Sequence, residues 1–334
     1  MAWSTHDPTT KRLFFLFGLW LVVIVISSLL SPHFLQASTL PFLLQYVPII
    51  GLLGIGQTLV ILSGGPGIDL SVGAMLSLVG LAVGWLFTLG VDIYAACLLG
   101  ILFGAMLGAV NGVLINWIGI PSLMATLATL FAYSGLALAL TGGTPIGGLP
   151  DHFTWLGQGQ IWLIPNHFLL VFVPVAIILH IVLTYMRVGR HIYAAGNDER
   201  AAHLIGIRVR RLRTGLYILS GVLAALAAIM NLSWFQAARP DAGIGMELLS
   251  ITVAVLGGTY IFGGQGRIAG TVLAIMIVTT LQVGLQLANV SQAWQLGVIG
   301  VLLIGSVGIN TLLGRQSLGQ SLGQSLGRLL GQAK

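Results

Sequence analysis

The sequence predicts an all-α, polytopic membrane protein with about ten transmembrane helices and both termini in the cytoplasm. Of its 334 residues, 57% are hydrophobic and 7% are charged, and the mean hydropathy is +1.00. A soluble domain usually has about 25% charged residues because its surface faces water. Most of this surface must therefore face lipid, and the chain repeats apolar runs of about 20 residues, enough to cross a bilayer.

Ten apolar segments are long enough, or nearly long enough, to be spans. They lie near residues 13–30, 43–63, 70–89, 94–116, 121–141, 167–186, 214–233, 248–262, 268–287 and 294–313. The first follows Lys11 and Arg12, and no small-residue cleavage site comes after it. We therefore expect a retained helix rather than a removed signal peptide.

The basic residues predict the orientation. Seven of the fourteen lie between Arg187 and Arg213, and Lys and Arg accumulate in cytoplasmic loops. Ten crossings put that segment in the cytoplasm and leave only Arg239 outside. The other basic residues on the cytoplasmic side are Lys11, Arg12, Arg267, Arg315, Arg328 and Lys334. Because the positive charge lies beside apolar spans, it indicates a lipid surface and no nucleic-acid partner.

The sequence lacks the residues that several kinds of catalytic or ligand-binding site require. The only lysines are Lys11 and Lys334, so the chain has no P-loop for ATP. Cys97 is the single cysteine, and no Cys/His cluster has metal-ligand spacing. No span carries paired carboxylates for acid–base work. We expect no catalytic residue, no metal and no cofactor.

Residues 64–73 interrupt a long apolar region with Gly and Pro. They contain Asp69, an acid at or near membrane depth, which is costly unless it caps a helix, pairs or faces water. Two interpretations stay open, a helix cap and a wall of a solute path. A similar run, 245–248, precedes the eighth span in the opposite direction, as an inverted repeat predicts.

The fourth span carries a glycine at every fourth position, namely Gly100, Gly104, Gly108 and Gly112. Such a stripe lets a neighbouring helix approach closely, so we predict a packing face. Asn111 lies beside the stripe, and we expect its amide to bond across helices.

The cytoplasmic segment 187–213 carries helix boundaries as well as charge. Asn197 is predicted to cap a short helix, with Asp198 and Glu199 in its first turn and Gly206 at its end. Its apolar side consists of Ala201, Ala202, Leu204 and Ile205. Docking to a partner protein is the favoured interpretation, and a basic loop on anionic headgroups is the alternative.

Taken together, residues 40–312 resemble the permease subunits of ribose and autoinducer-2 type ABC importers. The resemblance lies in Gly56–Ile61, Gly67–Gly73, Gly108–Gly112, Pro121–Thr129, Gly189–Ile207 and Gly257–Thr271. One departure is that Pro66 and Gly67 lengthen the junction between two glycines and Ile68-Asp69.

The resemblance implies a permease subunit that moves a sugar or sugar-like solute across the bacterial inner membrane by alternating access, driven by a separate ATPase. It implies three partners: cytoplasmic ABC ATPase subunits, a periplasmic solute-binding protein, and a second permease copy or paralogue. We place the substrate path at Asp69, Ser71, Gly73, Asn111 and Thr126. The expected ATPase coupling residues are Ala195, Gly196, Asn197, Glu199, Ala201, Ala202, Gly206 and Ile207.

The resulting organisation has a cytoplasmic segment 1–12, a transmembrane permease domain 13–313 with its coupling loop 187–213, and a cytoplasmic tail 314–334 that repeats Ser-Leu-Gly-Gln. A secondary transporter or channel without an ATPase is the alternative, although Asp69 is nearly the only intramembrane charge to couple ions. An intramembrane enzyme is disfavoured because Ser306 has no convincing histidine base nearby. The solute stays open among pentoses, hexoses, autoinducer-2, nucleosides and branched amino acids.

Overall fold

The computed structural model describes residues 8–65, 67–291, 293–295, 297–302, 304, 305 and 308. In this part of the chain the helices are α1 Pro8–Leu30, α2 Thr39–Leu62, α3 Val72–Thr88, α4 Ile93–Val113, α5 Ser122–Thr141, α6 Thr154–Gly157, α7 Val173–Tyr185, α8 Arg187–Asn197, α9 Glu199–Leu204, α10 Val209–Phe235, α11 Met246–Leu256 and α12 Ile268–Leu287. π-helical turns Leu114–Ile118 and Phe168–Phe172 adjoin α4 and α7, and a 3-10 turn, Asp151–Phe153, precedes α6. Strands β1 Gln160–Ile161 and β2 Ile164–Pro165 pair antiparallel.

Seven of the described helices are long and apolar enough to cross a membrane, and α3, α11 and residues 293–302 are shorter apolar helices. The polytopic all-α prediction is confirmed. The eighth predicted span, 248–262, is wrong at its end because α11 stops at Leu256. Gly257 packs there against the backbone of Gly270 and Thr271 in α12, and Gly258 has φ +101°. Nine of the twenty residues of the tenth span and all of the tail 314–334 lie outside the described residues.

Helix α2 forms the centre of the fold. Every residue from Val47 to Leu62 is buried, and α10, α11, α12 and the π-helical turn before α7 surround it. A helix that is apolar on all sides must be covered on all sides. Helix α1 lies at the periphery, where Trp20 Nε1 donates to Thr280 Oγ1 at 3.0 Å while Phe14 and Leu29 are exposed. Exposed apolar side chains on α1, α5 and α7 form the surface expected to face lipid.

The glycine stripe of α4 is a packing face, as predicted. A Cβ atom on Gly108 would overlap the carbonyl oxygen of Tyr217, and one on Gly104 would lie 2.6 Å from that of Gly221. Both contacts are with α10. Two helix backbones therefore touch along this seam, which is how small residues hold helices together in lipid.

Residues 237–245 run along α3 from its outer end towards its first turn. A Cβ atom on Gly84 would lie 3.0 Å from that of Ala238, and the Gly243 N–H donates to Ser77 Oγ at 2.9 Å. Gly243 also abuts the backbone of Gly73. Helix α11 has 11 residues and is about 16 Å long, half of a hydrocarbon core. The segment therefore fills membrane depth that α11 leaves open, where Ala238, Pro240 and Gly243 are buried while Arg239, Asp241 and Ile244 are exposed.

Candidate functional site

Asp69 lies between α2 and α3 and is fully buried. Its Oδ1 accepts hydrogen bonds from Ser71 N (3.0 Å) and Ser71 Oγ (2.7 Å), and Asn111 Nδ2 lies 3.5 Å away. Its Oδ2 accepts from Ser220 Oγ of α10 at 3.1 Å. Both carboxylate oxygens are thus bonded within the chain. Asp69 bonds the N–H of Ser71, the residue directly before α3, but it is not the cap of that helix, because the cap position is Ser71 and makes no side-chain capping bond.

Gln57 of α2 fixes the backbone at the same residue. With its amide oriented to match its neighbours, Gln57 donates to Asp69 O at 3.1 Å and accepts from Asp69 N at 3.2 Å. Neither Gln57 nor Ser220 was predicted from the sequence as a site residue. The available signal was that each is a polar residue inside an apolar span, where a partner is required.

A second layer of polar groups extends this cluster to α4 and α5. Asn111 Nδ2 donates to Ser71 Oγ at 2.7 Å, and Thr129 Oγ1 donates to Asn111 Oδ1 at 2.7 Å. These bonds confirm that the Asn111 amide bonds across helices. Thr126 Oγ1 donates to Ser122 O at 2.8 Å and lies 3.2 Å from Ile68 O.

Four of the five residues placed on the substrate path therefore form one polar cluster, which we call the Asp69 cluster. Asp69, Ser71, Asn111 and Thr126 are all buried. Gly73 lies in the first turn of α3 and packs against Gly243 instead. In this conformation the cluster joins α2, α3, α4, α5 and α10, and its side chains do not face open space.

A cavity of about 210 Å³ opens below the Asp69 cluster on the predicted cytoplasmic side. The end of α2, the connection between α4 and α5, and the start of α10 enclose it. Its lining includes Ser63, Gly67, Asn116, Ser122 and Arg213. Since Gly67 and Ser122 also flank the cluster, this cavity adjoins it.

The coupling loop folds as two helices, α8 and α9. The cap of α9 is Asp198, whose Oδ1 accepts from Arg200 N (2.8 Å) and Ala201 N (3.1 Å). The prediction that Asn197 is the cap was wrong, because Asn197 is the last residue of α8. Gly206 has φ +85° and follows α9, as predicted from its tolerance of the left-handed region.

Helix α9 has an inner and an outer face. Ala202 is 1% exposed and packs in a small core with Ala195, Ile207 and Val209. Leu204 and Ile205 are 89% and 72% exposed. The predicted single apolar side is thus divided, because Ala202 stabilises the loop itself while the two larger residues face outward. Adjacent exposed apolar side chains are typical of an interaction site.

A junction of glycines fastens α8 to the end of α2. The Gly264 N–H donates to Leu62 O at 3.0 Å, and a Cβ atom on Gly196 would overlap that same oxygen. A Cβ atom on Gly64 would lie 2.9 Å from the Gly196 Cα. Because no side chain separates the three backbones, α8, α2 and the loop after α11 meet directly.

Tyr193 adds a side-chain bond to this junction. Its hydroxyl donates to Gly266 O at 2.7 Å. Burial raises the pKa of Tyr193, and the nearby charge of Arg267 opposes that shift. The phenol therefore stays protonated and keeps its donor at neutral pH.

Arg213 joins α9 to both α2 and α10. Its Nη1 donates to Glu199 Oε2 at 2.8 Å and its Nε to Ser63 O at 3.1 Å. About two turns of α10 separate Arg213 from Ser220, which bonds Asp69. The coupling loop and the Asp69 cluster are therefore linked through one helix. From the sequence, Arg213 was predicted only to be one of the basic residues that set the orientation in the membrane.

A family model described as the permease component of branched-chain amino acid transport systems matches residues 39–307. The ribose import permease protein of Bacillus subtilis is 41% identical over 303 residues, 90% of this chain and 93% of that protein. The D-allose transport system permease protein of Escherichia coli K12 is 35% identical over 300 residues, covering 90% and 91%. An autoinducer 2 import system permease protein of Enterobacter is 35% identical over 294 residues, covering 85% and 89%. No solved structure matches the chain.

Proposed function

This chain belongs to the permease-component family of branched-chain amino acid transport systems, and from its similarity to sugar and autoinducer 2 permeases we propose that its solute is a small sugar or a sugar-like compound. It is a multi-pass inner-membrane permease subunit of an ABC importer. The relatives named above are ribose, D-allose and autoinducer 2 permeases. A polyhydroxylated solute is common to the two sugar permeases among them and supports this choice.

The energy for transport comes from separate cytoplasmic ABC ATPase subunits. The observation that carries this proposal is α9, a capped helix that presents Leu204 and Ile205 outward while Ala202 holds it to the loop. A short helix with exposed apolar anchors suits insertion into a groove of a partner protein. The other proposed partners are a periplasmic solute-binding protein and a second permease copy or paralogue.

Two connections can carry the motion of the ATPase inward. One runs from α8 through the Gly196 junction to α2, where Gln57 holds the backbone of Asp69. The other runs from Glu199 through Arg213 and along α10 to Ser220. Both end at the Asp69 cluster, so a tilt of α9 reaches five helices at once. This arrangement suits alternating access, in which helices rock around a fixed site.

In this account the path residues Asp69, Ser71, Gly73, Asn111 and Thr126 lie beside the solute route and hold its helices in place. The cavity below them is the cytoplasmic part of the route within one subunit. Rocking of the helices that share the cluster widens or closes that cavity.

The docking role is tested with Leu204→Asp and Ile205→Asp in the full importer. Both side chains are exposed, so the variants should reach the membrane in normal amounts. We expect loss of co-purification with the ATPase and at least tenfold slower uptake. Leu89→Asp is the matched control, because Leu89 is 65% exposed at the opposite side of the predicted membrane. Normal uptake by both variants, or uptake without any ATPase, would favour an ATP-independent transporter.

A further inference from the structure

A small pocket lies between α3, α10 and the segment 237–245. Its lining includes Ser77, Gly80, Asn231 and Arg239, and small alanines supply much of the rest. Its volume is about 10 Å³, which is close to the minimum for one water molecule. A Cβ atom on buried Gly80 would meet no atom within 4 Å. The missing side chain thus leaves open space at the middle of α3.

Asn231 is the unusual residue of this pocket. Asn231 is only 7% exposed. Its amide makes no hydrogen bond with any residue that the structure describes. The amide is not fully enclosed, so its hydrogen-bonding groups stay open to a small molecule. The amide lines the pocket, so a molecule inside the pocket is the available partner.

Two further polar groups lie at the same pocket. Ser77 Oγ accepts from the Gly243 N–H at 2.9 Å, which leaves its hydroxyl hydrogen able to donate. Arg239 forms an exposed ion pair with Asp241, with bonds of 3.1 and 2.8 Å. The pair uses Nε and Nη2 of Arg239 and leaves its other N–H donors available.

We propose that Asn231, Ser77 and Arg239 form a subsite on the extracytoplasmic side for the hydroxyl groups of a neutral polyhydroxylated solute. The inference rests on the proposed function and adds the residues that recognise the solute. An amide offers two donors and one acceptor group, which matches neighbouring hydroxyls that each donate and accept. The alanines and Gly80 leave the walls smooth enough for the C–H faces of a sugar ring.

Entry of a whole sugar requires the segment 237–245 to move away from α3, because the present volume admits only water. That movement breaks the bond from Gly243 to Ser77 and frees the Ser77 oxygen for the solute. The described conformation is accordingly the one in which the subsite is closed.

The subsite is tested by D-ribose uptake in cells that express the complete importer. Asn231→Leu removes the amide, Asn231→Asp keeps its size but loses both donors, and Gly80→Val fills the space. We expect each to lower the initial uptake rate about tenfold, the factor of roughly one hydrogen bond. Gly135→Val is the control, since Gly135 is an exposed helix glycine with open space around its Cβ. Wild-type uptake rates in Asn231→Leu and Asn231→Asp would overturn the subsite.

A labelling experiment gives an answer that does not depend on transport. In a Cys97→Ala background, Asn231→Cys should react with a membrane-impermeant, charged thiol reagent added outside intact cells, and Gly135→Cys in lipid should not. Failure of Asn231→Cys to react would also overturn the proposal. Co-purification of the ATPase, measured for the wild type and for the same variants, distinguishes failure of the proposed function from failure of the subsite. Its absence in the wild type counts against the proposed function, whereas normal ATPase binding with normal uptake in Asn231→Leu counts against the subsite alone.

Discussion

Replacing Asp69 distinguishes a carboxylate that holds helices together from one that lines the solute path. In Asp69→Ala, the Ser71 N–H keeps no acceptor, which costs about 1–3 kcal/mol. The hydroxyls of Ser71 and Ser220 each lose a bond to a carboxyl oxygen and can only partly recover it, at about 1 kcal/mol each. The total of about 3–5 kcal/mol is a large part of the stability of a folded chain.

Thermal unfolding of the detergent-solubilised protein measures this loss. At about 2 °C for each kcal/mol in a chain of this size, the Asp69→Ala variant should unfold about 6–10 °C below the wild type. Asp69→Asn is the matched control, because its remaining oxygen still accepts from Ser71 and its amide can donate to Ser220 Oγ. We expect its midpoint to fall by only about 2 °C.

The opposite pattern would refute this account of Asp69. If Asp69→Ala unfolds at the wild-type temperature while Asp69→Asn abolishes uptake, the charge serves the solute and not the helices. A double-mutant cycle with Ser220→Ala supplies a further check. Groups that share a hydrogen bond should show a coupling energy of about 0.5–3 kcal/mol, and additive effects would contradict the bond at 3.1 Å.

Three further predictions concern the coupling loop. Asp198→Ala should remove about 1 kcal/mol of helix-capping free energy and speed amide hydrogen exchange in residues 198–206 about fivefold. Asn197→Ala should leave that exchange unchanged. Equal effects in the two variants would be incompatible with Asp198 as the cap. Gly196→Ala should reduce uptake more than tenfold while ATPase activity is retained, because the added Cβ atom forces α8 away from α2. Gly215→Ala should leave uptake unchanged, because there is open space at its Cβ. Normal uptake by Gly196→Ala would exclude the glycine junction from coupling. Arg213→Met should change the unfolding free energy by only about 1 kcal/mol, since Glu199 is half-exposed, but should slow uptake; unchanged uptake would remove Arg213 from the proposed route.

Much of the fold could be predicted because lipid leaves a simple signal in the sequence. A chain in a bilayer must satisfy its backbone within helices, so long apolar runs become helices, and α12 has the predicted bounds 268–287. The apolar run 248–262 gave the same signal, yet only its first part is helical. Hydropathy does not register that Gly257 packs on α12, nor that residues 237–245 descend along α3.

The candidate site was only partly readable for a related reason. Asp69 and Asn111 were identified because polar groups in apolar spans need partners, but the partners lie far away in sequence, as Ser220 does. The cap of α9 shows the same limit on a small scale. Asn197 and Asp198 are both good capping residues, and tertiary packing decides between them, since Asn197 lies against Gly264.

Thiol labelling of α9 tests the importer-subunit account most directly. In a Cys97→Ala background, Ile205→Cys should react with an impermeant reagent in inside-out vesicles and stay unreactive in intact cells. Binding of the ATPase subunits should then protect it. Reaction in intact cells, or reaction in vesicles that the bound ATPase does not reduce, would contradict an importer driven through this helix.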